Sequence, residues 1–301
     1  MEKKHTKKDL EAAIEKMAIG GHNQFSECFH NFLDLALSYF CNNMNERQME
    51  LRKRVDENED FRKAYQEALE AYGDCAEDYK DPMGDMFMVK ISHGQHGQFF
   101  TPESLTNLMT EISFISKSAK DGDTINDPTC GSGRTLLAAL RKWRENGLEP
   151  LLYANDLSMT CAKMCLLNFL VNSADGEVTC GDALKLDWEN FTFFKIDKVR
   201  NLATGAVFST YWQYTTSDVE KVAEKRQKWF CWIAEHGWVK YFKLPKAPDA
   251  VIETENGTDV VDGEKFETVL SKHGKEIIKQ SQQIDPLPTE IKMGEQLSLF
   301  D

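Results

Sequence analysis

Proline is scarce in this chain, 8 among 301 residues, and no two prolines are adjacent. The eight cysteines include no Cys-x-x-Cys pair, which argues against a zinc site; Cys161 and Cys165 stand one helical turn apart, a packing spacing. No apolar run approaches the ~20 residues of a membrane-spanning helix, and no secretory signal is evident, so the expected setting is a reducing cytoplasm away from membranes. Positive charge is also short. Lys and Arg number 36 against 49 acids, a formal net charge of −13. That balance argues against a free-standing binder of duplex DNA, whose affinity rests on phosphate contacts. The densest basic stretches, Arg52-Lys53-Arg54 and Arg141-Lys142-Trp143-Arg144, read most simply as solvated helix faces.

What is present falls into three parts. Residues 1–90 read as a helical domain: Phe25, Phe29, Phe32, Leu33, Ala36 and Phe40 recur at helical spacing, and a second helix over about 46–72 aligns Phe61, Tyr65, Ala68 and Tyr72. Residues 91–245 read as an α/β domain. Residues 246–301 hold twelve acids, six bases and no Trp or Tyr, which predicts a disordered acidic tail with at most one short helix over 264–280.

Within the middle part, Thr124-Ile125-Asn126-Asp127 reads as a short buried strand, Pro128 to Gly133 as a turn bearing Gly131 and Gly133, and Arg134 onward as a helix. Glycines in such a turn let backbone amides approach a ligand, and Asp127 at the strand end suits a cationic amine better than a phosphate. Two further apolar strands end in acids, Leu151 to Asp156 and Glu177 to Asp182. In a doubly wound sheet ligands sit outside the carboxyl ends of the strands, so Asp127, Asp156 and Asp182 are expected around one crevice. This order favours S-adenosylmethionine, with Asp156 on the ribose hydroxyls and Asp182 either on the adenine amine or capping the segment after it. A dinucleotide site fits less well, because Leu136 occupies the third glycine position of Gly-x-Gly-x-x-Gly. Upstream, Thr101 can cap a helix with Pro102 in its first turn, and Leu105, Leu108, Met109 and Ile112 share one apolar face.

These segments resemble the adenine-specific DNA methyltransferases related to the modification subunit of type I restriction systems. The likeness spans residues 81–185. Asp81-Pro82-Met83-Gly84-Asp85-Met86-Phe87 is similar to that family's link into its core, and Gly97 to Pro102 to the element before its cofactor turn. Asp127 to Gly133 resembles the cofactor loop, Asn155-Asp156-Leu157 the ribose-binding acid, and Gly181-Asp182-Ala183 the adenine-contacting acid. The resemblance implies a Rossmann-like methyltransferase core. Its cofactor would be held by Phe99, Phe100, Thr101, Asp127, Thr129, Cys130, Gly131, Ser132, Gly133, Asp156, Leu157, Asp182 and Ala183. It also implies DNA as substrate, reached with a partner subunit.

The family's catalytic motif is Asn, Asp or Ser, then Pro-Pro, then an aromatic, after a fourth strand; it grips a flipped adenine and orients its amine. This chain has no Pro-Pro. Gly205 to Phe208 is the expected fourth strand, and Ser209, Tyr211 and Trp212 stand where the motif would fall, though a half-buried strand explains them more simply. Few residues remain for the rest of the sheet, which predicts a truncated core. The chain ends in Gln296-Leu297-Ser298-Leu299-Phe300-Asp301, which resembles the bacterial sliding-clamp-binding motif, with Gln296 as polar anchor and Leu297, Leu299 and Phe300 as pocket fillers. Three functions fit: adenine methylation of DNA with a partner; a catalytically quiet relative that docks on the clamp; and methylation of a small molecule.

Overall fold

The computed structural model describes residues 4–19, 24–92, 100–117, 119–185, 188–204, 206–240, 250–254 and 257–261. The chain divides into two compact units, one of residues 1–197 and 209–222, the other of residues 198–208 and 223–301.

The first unit opens with α1 (Lys7–Glu15), α2 (Phe25–Ser38), α3 (Glu46–Glu57), α4 (Glu59–Ala76) and the short α5 (Pro82–Met86). Their starts are written in the sequence. Thr6 with Asp9, and Asn45 with Gln48, form capping boxes that satisfy the first amides of α1 and α3. The single helix expected over 46–72 is two helices. Asn58 leaves helical geometry at ψ 107° and its side chain accepts the Phe61 N–H at 2.9 Å, so one residue ends α3 and caps α4. Phe29, Phe32, Leu33 and Ala36 of α2 and Phe61, Tyr65, Ala68 and Tyr72 of α4 are buried as their spacing predicts. Their core runs without a break into Leu136, Leu152, Leu166 and Val178, so residue 90 marks no division between separate hydrophobic cores. Buried Asp34 of α2 pairs with Arg47 of α3 at 2.7 Å.

Next come α6 (Glu103–Lys117), β1 (Thr124–Asp127), α7 (Arg134–Glu145), β2 (Leu151–Asp156), α8 (Met159–Val171) and β3 (Asp175–Cys180). Lys163 of α8 gives Asp34 its second partner at 2.5 Å. The three strands are parallel, with Asp127 opposite Ala154 and Asp156 opposite Cys180. β4 (Thr192–Asn201) then runs antiparallel beside β3, and β5 (Val207–Thr215) lies beyond it, giving the order β1-β2-β3-β4-β5. The expected fourth strand is therefore the fifth, lengthened to Thr215 and preceded by a strand that the sequence reading passed over.

This is an α/β, Rossmann-like βαβαβ half continued by antiparallel strands. Among the described strands its order does not reverse, as it would in a complete doubly wound sheet. Leu152, Ala154 and Val178 are buried on the helix-covered face, whereas Thr124 and Asn126 on the other face are exposed.

In the second unit the end of β4 pairs antiparallel with β6 (Trp238–Lys240), and β7 (Ala250–Thr254) pairs with β8 (Gly257–Val261) as a hairpin. Between β5 and β6 lies α9 (Val219–Glu235). The hairpin occupies part of the stretch expected to be disordered. The helix expected over 264–280 and the terminal peptide Gln296, Leu297, Leu299 and Phe300 lie outside the described residues.

Candidate functional site

The turn after β1 has the geometry its glycines permit. Gly131 and Gly133 adopt φ +55° and +82°, and Gly133 is the N-cap of α7. Neither position has room for a side chain. A Cβ on Gly131 would lie 2.8 Å from the Phe100 ring, and one on Gly133 would lie 2.6 Å from Cys165 Sγ. Phe100 in turn stacks on Phe87 with ring centroids 6.0 Å apart.

Two of the three predicted acids converge on this turn. Asp127 Oδ1 accepts the Thr129 N–H at 3.1 Å; burial pushes its carboxyl above the ordinary value against that bond, and the charge of Asp156 pushes the same way. Asp156 accepts the Gly131 N–H at 2.9 Å on Oδ2 and the Ser158 N–H at 2.8 Å on Oδ1. The acid that ends β2 thus grips the turn that follows β1.

Asp182 behaves differently. Its Oδ1 accepts the N–H groups of Leu184 and Lys185 at 3.1 and 3.3 Å, and Lys185 Nζ stands 3.2 Å from Oδ2. These bonds hold its carboxyl below the ordinary range, the Leu184 N–H first. Capping of the following turn, one of the two roles open from the sequence, is the one seen.

Asn155 supplies a tie the sequence reading did not assign. Its Nδ2 donates to the carbonyls of Pro128 and Gly181, both at 3.1 Å, while its Oδ1 accepts from Thr179 Oγ1 at 2.8 Å. One buried amide therefore registers the ends of all three parallel strands.

Behind the turn lies a second buried network. Asp81 accepts from the Ser132 hydroxyl, from Arg134 Nη2 at 3.0 Å, from Asn168 Nδ2 at 3.0 Å and from the Gly84 N–H at 3.0 Å. Asn168 also donates to the Ser132 carbonyl at 2.9 Å. Ser132 thus turns its side chain into the protein, so only its backbone can serve a ligand. Cys130 is likewise buried, among Cys161, Cys165 and Cys180. Thr101 is half-buried, Ala183 partly so, and Leu157 stands exposed beside Asp156. Phe99 lies outside the described residues.

The three weak catalytic candidates are core residues. Tyr211 and Trp212 are 1 % and 0 % exposed, and Ser209 is buried. The Tyr211 hydroxyl accepts from Gln48 Nε2 at 2.9 Å, and its backbone pairs with Phe40 and Asn42. A ring so enclosed has no face for a base, which corrects its candidacy. In the second unit a groove of about 550 Å³ lined by Arg226, Gln227, Phe230, Trp238 and Lys240 gathers none of the predicted residues.

A glycine turn between a parallel strand and a helix, gripped by the acid of the next strand, defines a nucleotide-cofactor domain of the Rossmann-like class. The chain matches the model of the N-6 DNA methylase family over residues 80–241, more than half its length, and belongs to that family. Relatives include two methylase subunits of type I restriction enzymes from Methanocaldococcus jannaschii. MjaIX is 30 % identical over 90 residues, covering 29 % of this chain and 15 % of the relative. MjaVII is 29 % identical over 161 residues, covering 48 % and 27 %. The MpnII methylase subunit of Mycoplasma pneumoniae is 24 % identical over 184 residues, covering 56 % and 31 %. The matches thus span less than a third of the relatives' length. Among solved structures, a class I S-adenosylmethionine-dependent methyltransferase from Listeria monocytogenes aligns with TM-score 0.39 and 14 % identity over 56 % of this chain and 51 % of that one. A type I restriction-modification methyltransferase subunit from Streptococcus thermophilus gives TM-score 0.34 and 16 % identity over 62 % and 61 %. Likenesses this remote add nothing to the topology already described. Among the described residues no helix is long and apolar enough to cross a membrane.

Proposed function

We propose that this chain binds S-adenosylmethionine at the turn of residues 127–133 and serves adenine methylation of DNA as one part of an assembly, without completing the reaction alone. The observation that carries this reading is the convergence of Asp127 and Asp156 on a glycine turn with no room for side chains. Two carboxylates, one of them held above its ordinary range by burial, favour a ligand with positive charge; the sulfonium and α-amine of S-adenosylmethionine meet that need. Gly131 and Gly133 admit the methionine portion against backbone, Asp156 keeps lone pairs for the ribose hydroxyls, and exposed Leu157 offers an apolar contact to the purine. Phe100 closes the turn from above. When bound, the cofactor supplies the methyl group.

The sequence has no Pro-Pro, and Tyr211 and Trp212 are internal, so neither supplies the groups that would hold a flipped adenine. That burial also favours a second reading, a catalytically quiet relative recruited to replicating DNA when its terminal Gln296, Leu297, Leu299 and Phe300 dock on the sliding clamp. Calorimetry with S-adenosylmethionine tests the first proposal: heat from the intact protein and at least tenfold weaker binding by Asp156→Ala are expected, while no heat from folded wild type removes it. Labelled methyl transfer to DNA by the chain alone would remove the claim of incompleteness. A peptide of residues 290–301 that fails to bind the clamp at high micromolar concentration removes the second reading.

A further inference from the structure

Helix α6 turns its polar side inward. Thr106, Thr110 and Phe114 face α7, with Phe114 edge-on to Trp143 at 4.9 Å and Glu111 paired with Lys142 at 2.7 Å. Leu105, Leu108, Met109 and Ile112, the face that amphipathic spacing would bury, are 46 to 60 % exposed.

This stripe lies next to a second uncovered feature. α7 packs over β1 and β2, α8 over β2 and β3, and α6 packs on α7 rather than on α8, an arrangement that sets α6 toward the β1 side of the helix layer. β1 is the last strand on that side, and among the described residues nothing pairs with its outer edge. The sheet face opposite the helices carries exposed Thr124 and Asn126 and half-exposed Leu151. Parallel strands are ordinarily covered on both faces, and a bare edge beside an apolar helix stripe invites pairing.

We propose that the free edge of β1 and the α6 stripe form one docking surface for a different polypeptide, which adds a strand parallel to β1 and lays apolar side chains over Leu105, Leu108, Met109 and Ile112. The added strand reverses the strand order beside Asp127 and so creates the crevice that a doubly wound sheet places at that point. What the strand carries rests on the methylase reading: its carboxyl end brings the Pro-Pro-aromatic turn that this chain lacks. A second copy of the chain does not fit. A two-fold axis normal to the sheet would pair β1 with itself antiparallel, and neither copy would bring a Pro-Pro-aromatic turn, so self-pairing leaves the site without it. The stripe sets four large apolar side chains, each about half exposed, side by side on one helix face, the contiguous kind of patch that interaction sites use. Stable interfaces bury ~800 Å² per partner, so the occupant must also cover the strand edge and open sheet face, as an α/β half would and a lone helix would not.

Photocrosslinking with the full chain in its own cells tests this. A photoreactive phenylalanine analogue is placed at position 108 in one preparation and at position 126 in another, and crosslinked peptides are sequenced by mass spectrometry. Both positions are expected to trap the same foreign chain, with the peptide at position 126 leading into a Pro-Pro-aromatic sequence. Leu105→Asp with Ile112→Asp, both at exposed sites and checked for folding by circular dichroism, should cut both crosslinks at least tenfold. Trapping of a second copy, of this chain's own residues 241–301, of a chain without that turn, or of nothing overturns the proposal. Cofactor titration is scored separately: its failure counts against the methylase reading and leaves the crosslinks to decide the docking.

Discussion

The backbone N–H of Gly131 donates to Asp156 Oδ2 at 2.9 Å, which makes the turn after β1 and the acid ending β2 a single unit. A ligand that meets one of them is positioned by the other. The sharpest consequence concerns Asp156→Ala and Asp156→Asn. The alanine removes the acceptor for both Gly131 and Ser158 and should lower stability by about 1–3 kcal/mol in urea unfolding as well as weaken S-adenosylmethionine binding at least tenfold. The asparagine keeps one acceptor oxygen but sets its NH2 against the other N–H, so it should recover only part of the stability and not the affinity. Equal loss in both measurements for both variants would mean that Asp156 acts only as scaffold.

Asp127 sets the pH response. Its carboxyl is raised by burial first, then by the charge of Asp156, against the Thr129 N–H. A carboxyl raised in the folded state contributes stability that is fully present below the unfolded pKa and lost as pH rises through the folded one. Asp127→Asn is therefore expected to hold or raise the melting temperature at neutral pH, because its Oδ1 still accepts from Thr129, while cofactor affinity falls. In wild type the affinity should fall on acidification as Asp127 takes up its proton, starting at a pH above that of an ordinary aspartate. Affinity independent of pH through that range counts against contact between Asp127 and the cationic end.

Asp81 is the buried anchor of the turn. Asp81→Ala leaves Ser132, Asn168 and the Gly84 N–H without their shared acceptor and Arg134 with only Asp85, 2.6 Å away. Breaking a buried pair costs roughly 3–5 kcal/mol, and the remaining Asp85 contact puts this case near the low end. Denaturant midpoints measure it; a shift worth less than about 1 kcal/mol would show that Asp85 and water replace the network.

Tyr211→Phe separates core packing from chemistry. The hydroxyl accepts from buried Gln48 and is held well above its ordinary pKa by burial. Its loss should cost about 1–3 kcal/mol by stranding the Gln48 amide. Any methyl transfer reconstituted with partners should be unchanged; a large fall in rate at unchanged stability would return Tyr211 to the reacting centre.

Much of the site was legible because its signals are local. Glycines at 131 and 133 announce left-handed backbone, and strands ending in Asp127 and Asp156 follow from short apolar runs closed by an acid. The hairpin of β7 and β8 was also legible, through Asn256-Gly257 between two apolar runs, but acidic composition outweighed it in the reading. Asp81 and Asn155 stand inside recognisable motifs without a role legible from sequence, because a buried acceptor or a bridging amide is recognised only by its partners, and for Asp81 these include Ser132, Arg134 and Asn168, about fifty to ninety residues away.

By itself the sequence determined the strand, turn and helix succession, the acids at the strand ends and the absence of a Pro-Pro turn, since each depends on dihedral preference or side-chain chemistry within a few residues. Only the tertiary structure decided that β4 lies beside β3, leaving β1 at an edge among the described strands, that α6 buries its threonines, and that Tyr211 belongs to the core. A strand's pattern of apolar residues is the same whichever neighbour it pairs with, so the choice is made by packing over the whole unit.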